Sequence, residues 1–296
     1  MAEAALDRWA TWILERRFGG DSGQAERALG ELGRVRERVL EGAAIQEGDV
    51  VLDVGAGDGL IAFGALPLVG ESGRVIFADV SQDLLDVSRG LANELGEGDR
   101  CEFLLAHAED LDPLADKSID IVTTRSVVIY VKEKQRAFDE FHRVLKTGGR
   151  LSIFEPINSF GFPEPEGRYC GFDVSPVADL AAKVKHVEQR LADDATLVDF
   201  DERDLVAFVE RAGFLNIELT HEARVEQQAP PQWLADVTWD TFLRIAPNPL
   251  APTLAETVDQ ALSPEEAERF LGHLKPLYEG RKGTSRQAVA YLRAVA

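Results

Sequence analysis

Cysteine is nearly absent: Cys101 and Cys170 are the only two in 296 residues, and neither belongs to a CxxC or other metal-ligand spacing. That excludes a disulfide framework and a structural zinc site, leaves no metal site to assign, and makes reduced thiols the expected state. Long apolar runs are missing too. Although 45% of the residues are hydrophobic, no stretch approaches the ~18 to 20 consecutive apolar residues of a membrane helix, so a soluble protein with no membrane partner is expected. The opening "MAEAALDRWATWILERRFGGD" lacks the basic start, apolar centre and small-residue cleavage pattern of an export signal, which makes the expected compartment cytoplasmic. Positive charge is scarce: 32 Lys plus Arg face 52 Asp plus Glu, a formal net charge of -20. A field of that sign repels phosphate backbones and anionic lipid, so nucleic acid is not an expected partner. The densest basic stretch, "RVRERVL" at 34–40, reads as the polar face of a helix. No internal repeat or low-complexity tract interrupts the chain, whose length suits one large α/β domain with embellishments.

What the chain does have is an alternating rhythm. Residues 3–18 carry Trp9, Trp12, Ile13 and Leu14 on one helical stripe, "FGGD" breaks it, and 23–43 restarts a helix. "VVLDV" at 50–54 and "RVIFADV" at 74–80 read as strands with a helix over about 59–69 between them, a βαβ unit that demands a parallel sheet. A helix near 82–95, strands at "CEFLLA" and "IDIVTTRS", a helix near 132–146 and the strand "GGRLSIFEP" continue the pattern. The predicted class is α/β, a doubly wound, mostly parallel seven-stranded sheet with N-terminal helices and helical insertions. After Pro156 come an irregular, aromatic segment, a helix over about 176–192, a helix at 202–212, the strand "LNIELTHEARV", a mainly helical stretch and a final strand "RQAVAYLRAVA". The expected organisation is a helical cap (1–44), a core (45–156), an insertion or lid (157–200), core again (201–227), a helical insertion (228–284) and the last core strand (285–296).

In an open α/β sheet, ligands bind at the carboxyl ends of strands near the point where strand order reverses. The first strand ends in "LDVGAGDGL", where Gly55, Gly57 and Gly59 permit a sharp turn and a close ligand approach, and Ala56 lies within the same loop. Asp53 precedes the glycines, and Asp79 closes the second strand. A carboxylate there suits ribose hydroxyls, because both its oxygens accept hydrogen bonds, so the spacing points to an adenosine-type cofactor.

Together "LDVGAGDG", Asp79, "AHAEDLDPLADKSIDIV" and "FHRVLKTGGRLSIFEP" resemble the class I S-adenosylmethionine-dependent methyltransferases, over roughly residues 45–156 and more weakly through "LVAFVERAGFLNIEL". The resemblance implies a Rossmann-like fold and S-adenosyl-L-methionine as cofactor. It sets the Gly55–Gly59 loop beside the methionine part, with Asp53 holding the loop or bonding the amino group. Asp79 would grip the ribose, Val80 and Ser81 would border the adenine, and Ala108 and Glu109 would line its edge. Many relatives have an acid where this chain has His107. Arg125 and Ser126, ending the fourth strand, would face cofactor or substrate.

A sulfonium cofactor carries its own activated methyl group, so the protein need only align a nucleophile and exclude water. Oxygen and carbon nucleophiles often need a general base as well, and the candidates for catalytic roles are Glu155, Arg125, Tyr130 and His107. Plain alternatives stand beside them: Arg125 paired with Glu155 in a structural ion pair, and Tyr130 as a packing residue. Trp9, Trp12, the aromatic residues at 160–172 and the 228–284 segment, with Trp233 and Trp239, would form either a lid over the cofactor or a packed layer or homodimer contact. A lidded pocket suits a small-molecule substrate, of secondary-metabolite, lipid or quinone type. Protein or RNA methylation, and cofactor binding without catalysis, are the alternative functions. Arsenic methylation, known in similar folds, depends on several cysteine thiolates and is disfavoured by a count of two.

Overall fold

Runs of Val, Ile, Leu and Phe too continuous for a one-sided strand become the central sheet. Parallel strands β1 (Val50–Val54), β2 (Arg74–Asp79), β3 (Cys101–Leu105), β4 (Ile119–Arg125) and β5 (Leu145–Pro156) are joined by β6 (Leu215–Ala229), which runs in the same direction, and β7 (Gly283–Val295), which lies between β5 and β6 and is antiparallel to both. The order is β3-β2-β1-β4-β5-β7-β6, seven strands in one sheet. The structure, a computed structural model, describes residues 5–191, 195–229 and 237–296. Val51, Leu52, Asp53 and Val54 are all buried, because helices cover both faces of a parallel sheet.

The helices are α1 (Arg8–Thr11), which runs into a π-helical turn (Trp12–Arg16), α2 (Ser22–Ala43), α3 (Leu60–Val69), α4 (Gln82–Glu94) and α5 (Lys134–Val144). After β5 come α6 (Ala178–Leu191) and α7 (Glu202–Ala212), and between β6 and β7 come α8 (Trp239–Arg244), α9 (Leu254–Ala261) and α10 (Pro264–Glu279). On one face of the sheet, Leu40, Ile61, Ala65 and Leu85 pack against Val51, Val75 and Phe77. On the other, Phe138, Phe141, Leu205 and Val209 pack against Leu52, Val122 and Leu292. A third cluster lies apart from the sheet: Tyr169, Phe172, Leu180 and Val184 meet Phe242, Phe270 and Tyr278, so the segment after β5 and the one before β7 share one core.

Several boundaries differ from the sequence pattern. The stripe over 3–18 is no single α-helix but one α-turn followed by a π-turn that ends at Arg16. Helix α2 belongs to the layer flanking the sheet, with the Ser152 hydroxyl donating to the Val39 carbonyl at 2.7 Å. Only the chain before it lies over the strand ends. The Gly148–Gly149 pair falls within the bounds of β5, at the place where its pairing with β4 shifts register, and β6 and β7 form a longer ladder than the apolar alternation implied. Trp239 packs on Phe242 and Tyr278, whereas Trp233 lies outside the described residues. No described helix is long and apolar enough to cross a membrane.

Candidate active site

Strand β1 pairs in parallel with β2 on one side and β4 on the other, which makes its carboxyl end the point where the winding reverses. The glycine loop sits there. The Gly55 and Ala56 N–H groups both donate to the Ala78 carbonyl, at 2.7 and 3.0 Å, folding the loop back over β2. Gly55 has φ 67°, and a Cβ at this position would stand 2.3 Å from Val127 Cγ2, so a side chain would push away the turn that leaves β4. Gly57 has φ 57°, and the nearest atom to its missing Cβ is Ile13 Cδ1 at 3.2 Å, a flexible tip that can yield to a ligand.

Two acids brace the loop. Asp53, 1% exposed, accepts the Thr123 hydroxyl at 2.8 Å and the Ala62 N–H at 3.1 Å, tying β1 to β4 and α3. Burial pushes its carboxyl up to about 7 against the pull of those two bonds. Asp79 accepts the Gly57 N–H through Oδ2 at 2.8 Å and the Ser81 N–H through Oδ1 at 2.9 Å. Burial raises it as well, and the backbone donors oppose the shift. Each carboxylate oxygen keeps a second lone pair, so Asp79 can still accept a pair of neighbouring ligand hydroxyls. The glycine cradle and Asp79 therefore fit an adenosine-type cofactor.

The N-terminal segment is fastened across this loop. Asp7 caps α1 by accepting the Trp9 and Ala10 N–H groups at 2.8 and 3.0 Å. Its other oxygen accepts the Ser81 hydroxyl at 2.6 Å, and its own N–H donates to Asp83 at 2.7 Å. Trp9 meets the Tyr130 ring edge to face, 5.0 Å between centroids. Trp12 Nε1 donates to the Ala246 carbonyl at 2.9 Å, joining the same segment to the chain after α8.

Glu155 is fully buried at the end of β5, where it accepts the N–H groups of Val127 (2.8 Å), Val128 (2.9 Å) and Ile129 (3.3 Å). Burial pushes it up to about 7, and the three donors oppose the shift. The ion pair left open for Arg125 and Glu155 is not formed: among the described residues, Arg125 has no carboxylate within salt-bridge reach, because Glu155 turns to the backbone of the 127–129 turn. Ser126 takes φ 56° and donates its N–H to the Phe154 carbonyl at 2.8 Å. Burial and Glu155 lift the Tyr130 phenol well above its ordinary value. Ala108 is buried and Glu109 half-buried, while Val80 is 38% exposed. His107 is exposed in a tight turn closed by the Asp110 N–H on its carbonyl at 3.0 Å. It makes no side-chain hydrogen bond with Arg125, Tyr130 or Glu155. The structure thus gathers Asp53, the glycines, Asp79, Arg125, Tyr130 and Glu155 at the strand ends and leaves His107 on a surface turn.

The sequence pattern gave Ile13 only as one of a helical stripe and did not single out Asp7 or Thr123. Asp7, two residues before Trp9, had the pattern of a helix cap and was findable. Thr123 carries no local signal, because it meets Asp53 only through the register of two strands distant in sequence.

Residues 52–153 match the family model of a methyltransferase domain. The ubiquinone/menaquinone biosynthesis C-methyltransferase UbiE of Klebsiella pneumoniae is 31% identical over 185 residues, 60% of this chain and 71% of that protein. An arsenite methyltransferase of Halobacterium salinarum is 34% identical over 177 residues, 55% of this chain; the match spans only 45% of that protein's own length. The solved structure of YcgJ from Bacillus subtilis shares the fold, with a TM-score of 0.52 at 19% identity over 89% of this chain and 97% of that one. With the sheet order and the strand-end glycine loop already described, these matches establish that the chain belongs to the class I, Rossmann-like S-adenosylmethionine-dependent methyltransferases.

Proposed function

We propose that the protein transfers a methyl group from S-adenosyl-L-methionine to a small organic acceptor, by in-line displacement in a pocket closed by its own N-terminal segment. The observation that carries this reading is the clasp of residues 7–17 over the glycine loop, through Asp7 on Ser81, Ile13 at Gly57 and Trp9 on Tyr130. A covered site admits a small molecule and excludes water, and it hinders a protein side chain or an RNA base still attached to its polymer. The relatives named for quinone and arsenite methylation also have small acceptors. Of these two, the thiol-dependent chemistry fits poorly. Cys101 lies at the start of β3, away from the strand ends, and burial lifts its thiol to about 11. Cys170 belongs with the third cluster, and burial lifts it too, so neither is a ready thiolate.

In this reading Asp79 receives the ribose hydroxyls. Gly55, Ala56, Gly57 and Gly59 line the methionine part, and Val80, Ala108 and Glu109 border the adenine. The bound sulfonium supplies the activated methyl and the leaving group. The chain's own residues then hold and shield. Asp53 fixes the loop, Glu155 fixes the 127–129 turn, and that turn presents Tyr130 beside Arg125 and Ser126. Glu155 thereby acts as a positioning residue, since both its oxygens are engaged with backbone N–H groups. Tyr130, held protonated at neutral pH, serves as a hydrogen-bond donor. His107 has no part in the chemistry.

Incubating the full chain with methyl-labelled S-adenosylmethionine and a fractionated cell extract tests the acceptor class. Label is expected in the small-molecule fraction. Label appearing only in protein or RNA would overturn the small-acceptor reading while leaving the methyltransferase family intact.

A further inference from the structure

Ser81 has no exposed surface, and all its polar atoms are engaged. Its N–H donates to Asp79 Oδ1 at 2.9 Å, and its carbonyl accepts the Leu85 N–H at 3.2 Å. Its hydroxyl caps α4 by accepting the Leu84 N–H at 3.1 Å and donates its proton to Asp7 Oδ2 at 2.6 Å. Helix α4 then returns to the glycine loop, where the buried Ser88 hydroxyl donates to the Gly57 carbonyl at 3.3 Å. The Gly57 N–H is on Asp79 Oδ2, so Gly57, Asp79, Ser81 and Ser88 close a ring of hydrogen bonds through the first turns of α4. The N-terminal segment touches that ring at two points: Asp7 at Ser81, and Ile13 Cδ1 at 3.2 Å from the Cβ position of Gly57.

The far end of the segment is fastened independently of the ring. Trp12 Nε1 donates to the Ala246 carbonyl at 2.9 Å, and the Ala246 N–H donates to the Arg16 carbonyl at 3.2 Å. What depends on the ring is α1, a helix of only four residues. One helical turn has little stability of its own, so α1 keeps its place through Asp7, whose Oδ1 caps it while Oδ2 takes the Ser81 hydroxyl. A ligand whose hydroxyls sit on Asp79 fixes the carboxylate that sets the position of Ser81. It thereby favours the docked arrangement of the segment over the undocked one, and linkage makes the effect mutual.

We propose that Ser81 is a positioning residue that couples the cofactor to the N-terminal segment: a ligand on Asp79 keeps the segment docked through the Asp7–Ser81 bond, and the docked segment retains the ligand. This inference rests on the methyltransferase reading above, which takes Asp79 as the ribose acceptor, and it adds the direction of control. Covering of the site answers to the cofactor and needs no acceptor.

The test is amide hydrogen exchange over residues 8–16 of the full chain, with and without saturating S-adenosylhomocysteine, in wild type, Asp7→Ser, Ser81→Ala and the double variant. Asp7→Ser decides the matter, because its shorter side chain still caps α1 but has no second oxygen for Ser81, and the α4 cap is untouched. In the wild type the ligand is expected to slow exchange of the segment by about tenfold, a usual size for coupling between two sites. In each variant the slowing should fall below about threefold, and S-adenosylhomocysteine, measured by titration, should bind several-fold more weakly. The double variant should be no worse than the worse single one, since both remove the same bond. Equal slowing in wild type and Asp7→Ser would overturn the proposal, as would a wild type that binds the ligand without slowing. Lost slowing with unchanged affinity would make the Asp7–Ser81 bond plain packing and overturn it too. Absence of S-adenosylhomocysteine binding in the wild type is a different failure, of the methyltransferase reading itself, and the coupling falls with it.

Discussion

Asp53 and Glu155 stand on the two strands that flank β4, and each spends its carboxylate on holding chain rather than on solvent. Both are lifted by burial to about 7, against about 4 in an unfolded chain. The folded protein therefore binds protons more tightly than the unfolded chain between about pH 4 and pH 7. Their stabilising contribution is full below about pH 4 and is lost as pH rises through about 7. Glu155→Gln should flatten this slope: between about pH 5 and pH 8 the wild type should lose on the order of 1 kcal/mol relative to the variant. Calorimetry across that range checks it, and parallel curves would contradict it. Asp79 has the opposite use, with acceptor capacity left over for a ligand. Asp79→Ala should weaken S-adenosylhomocysteine binding by about tenfold or more, since a buried charged hydrogen bond contributes about 1.5 to 3 kcal/mol. Titration reads this, and unchanged affinity would remove Asp79 from the ribose site. At this scale the sequence was most informative where a residue's backbone context announced it: Asp79 closes an apolar run and the three glycines follow one. It was least informative for Glu155, whose place at a strand end looked catalytic until its three N–H donors were known.

The elements that could be read from sequence are those whose pattern is local and repeated. The βαβ run from β1 to β5 is legible because helix and strand periods alternate over short distances. The N-terminal segment is not, because what makes it more than an amphipathic helix is where it docks: Asp7 on Ser81 and Trp12 on the Ala246 carbonyl, 74 and 234 residues away in sequence. If this segment is a lid, Trp9→Ala with Ile13→Ala should speed release of S-adenosylhomocysteine by about tenfold, the equivalent of about 1.4 kcal/mol of retained contact, with little loss of global stability. Stopped-flow competition measures the rate. Unchanged release with a lowered melting temperature would make the segment plain packing. The glycine loop carries its own prediction. Gly55→Ala places a methyl group against Val127 at positive φ and should cost about 1 to 3 kcal/mol in denaturant unfolding.

Across the whole molecule, the sheet and its two helical layers are one body of packing and the cluster around Phe270 is another. The N-terminal segment bridges them, reaching Gly57 on one side and the chain after α8 on the other. Phe270 has no exposed surface, so Phe270→Ala should destabilise by about 3 to 5 kcal/mol in calorimetry. A loss below about 1 kcal/mol would mean that this cluster contributes little to the cooperative fold. The same architecture explains why the acceptor was the least legible feature. In the proposed reading, cofactor contacts come from strand ends whose motifs are local, whereas the acceptor would lie under an N-terminal segment that only the fold brings to Tyr130.

The central claim is that the strand-end glycines and Asp79 hold a sulfonium methyl donor. Isothermal titration of the purified chain with S-adenosylmethionine, S-adenosylhomocysteine and NAD tests it most directly. Micromolar binding of both sulfur compounds and none of NAD is the expected result. Binding of NAD alone would contradict it and return the site to the dinucleotide-binding class.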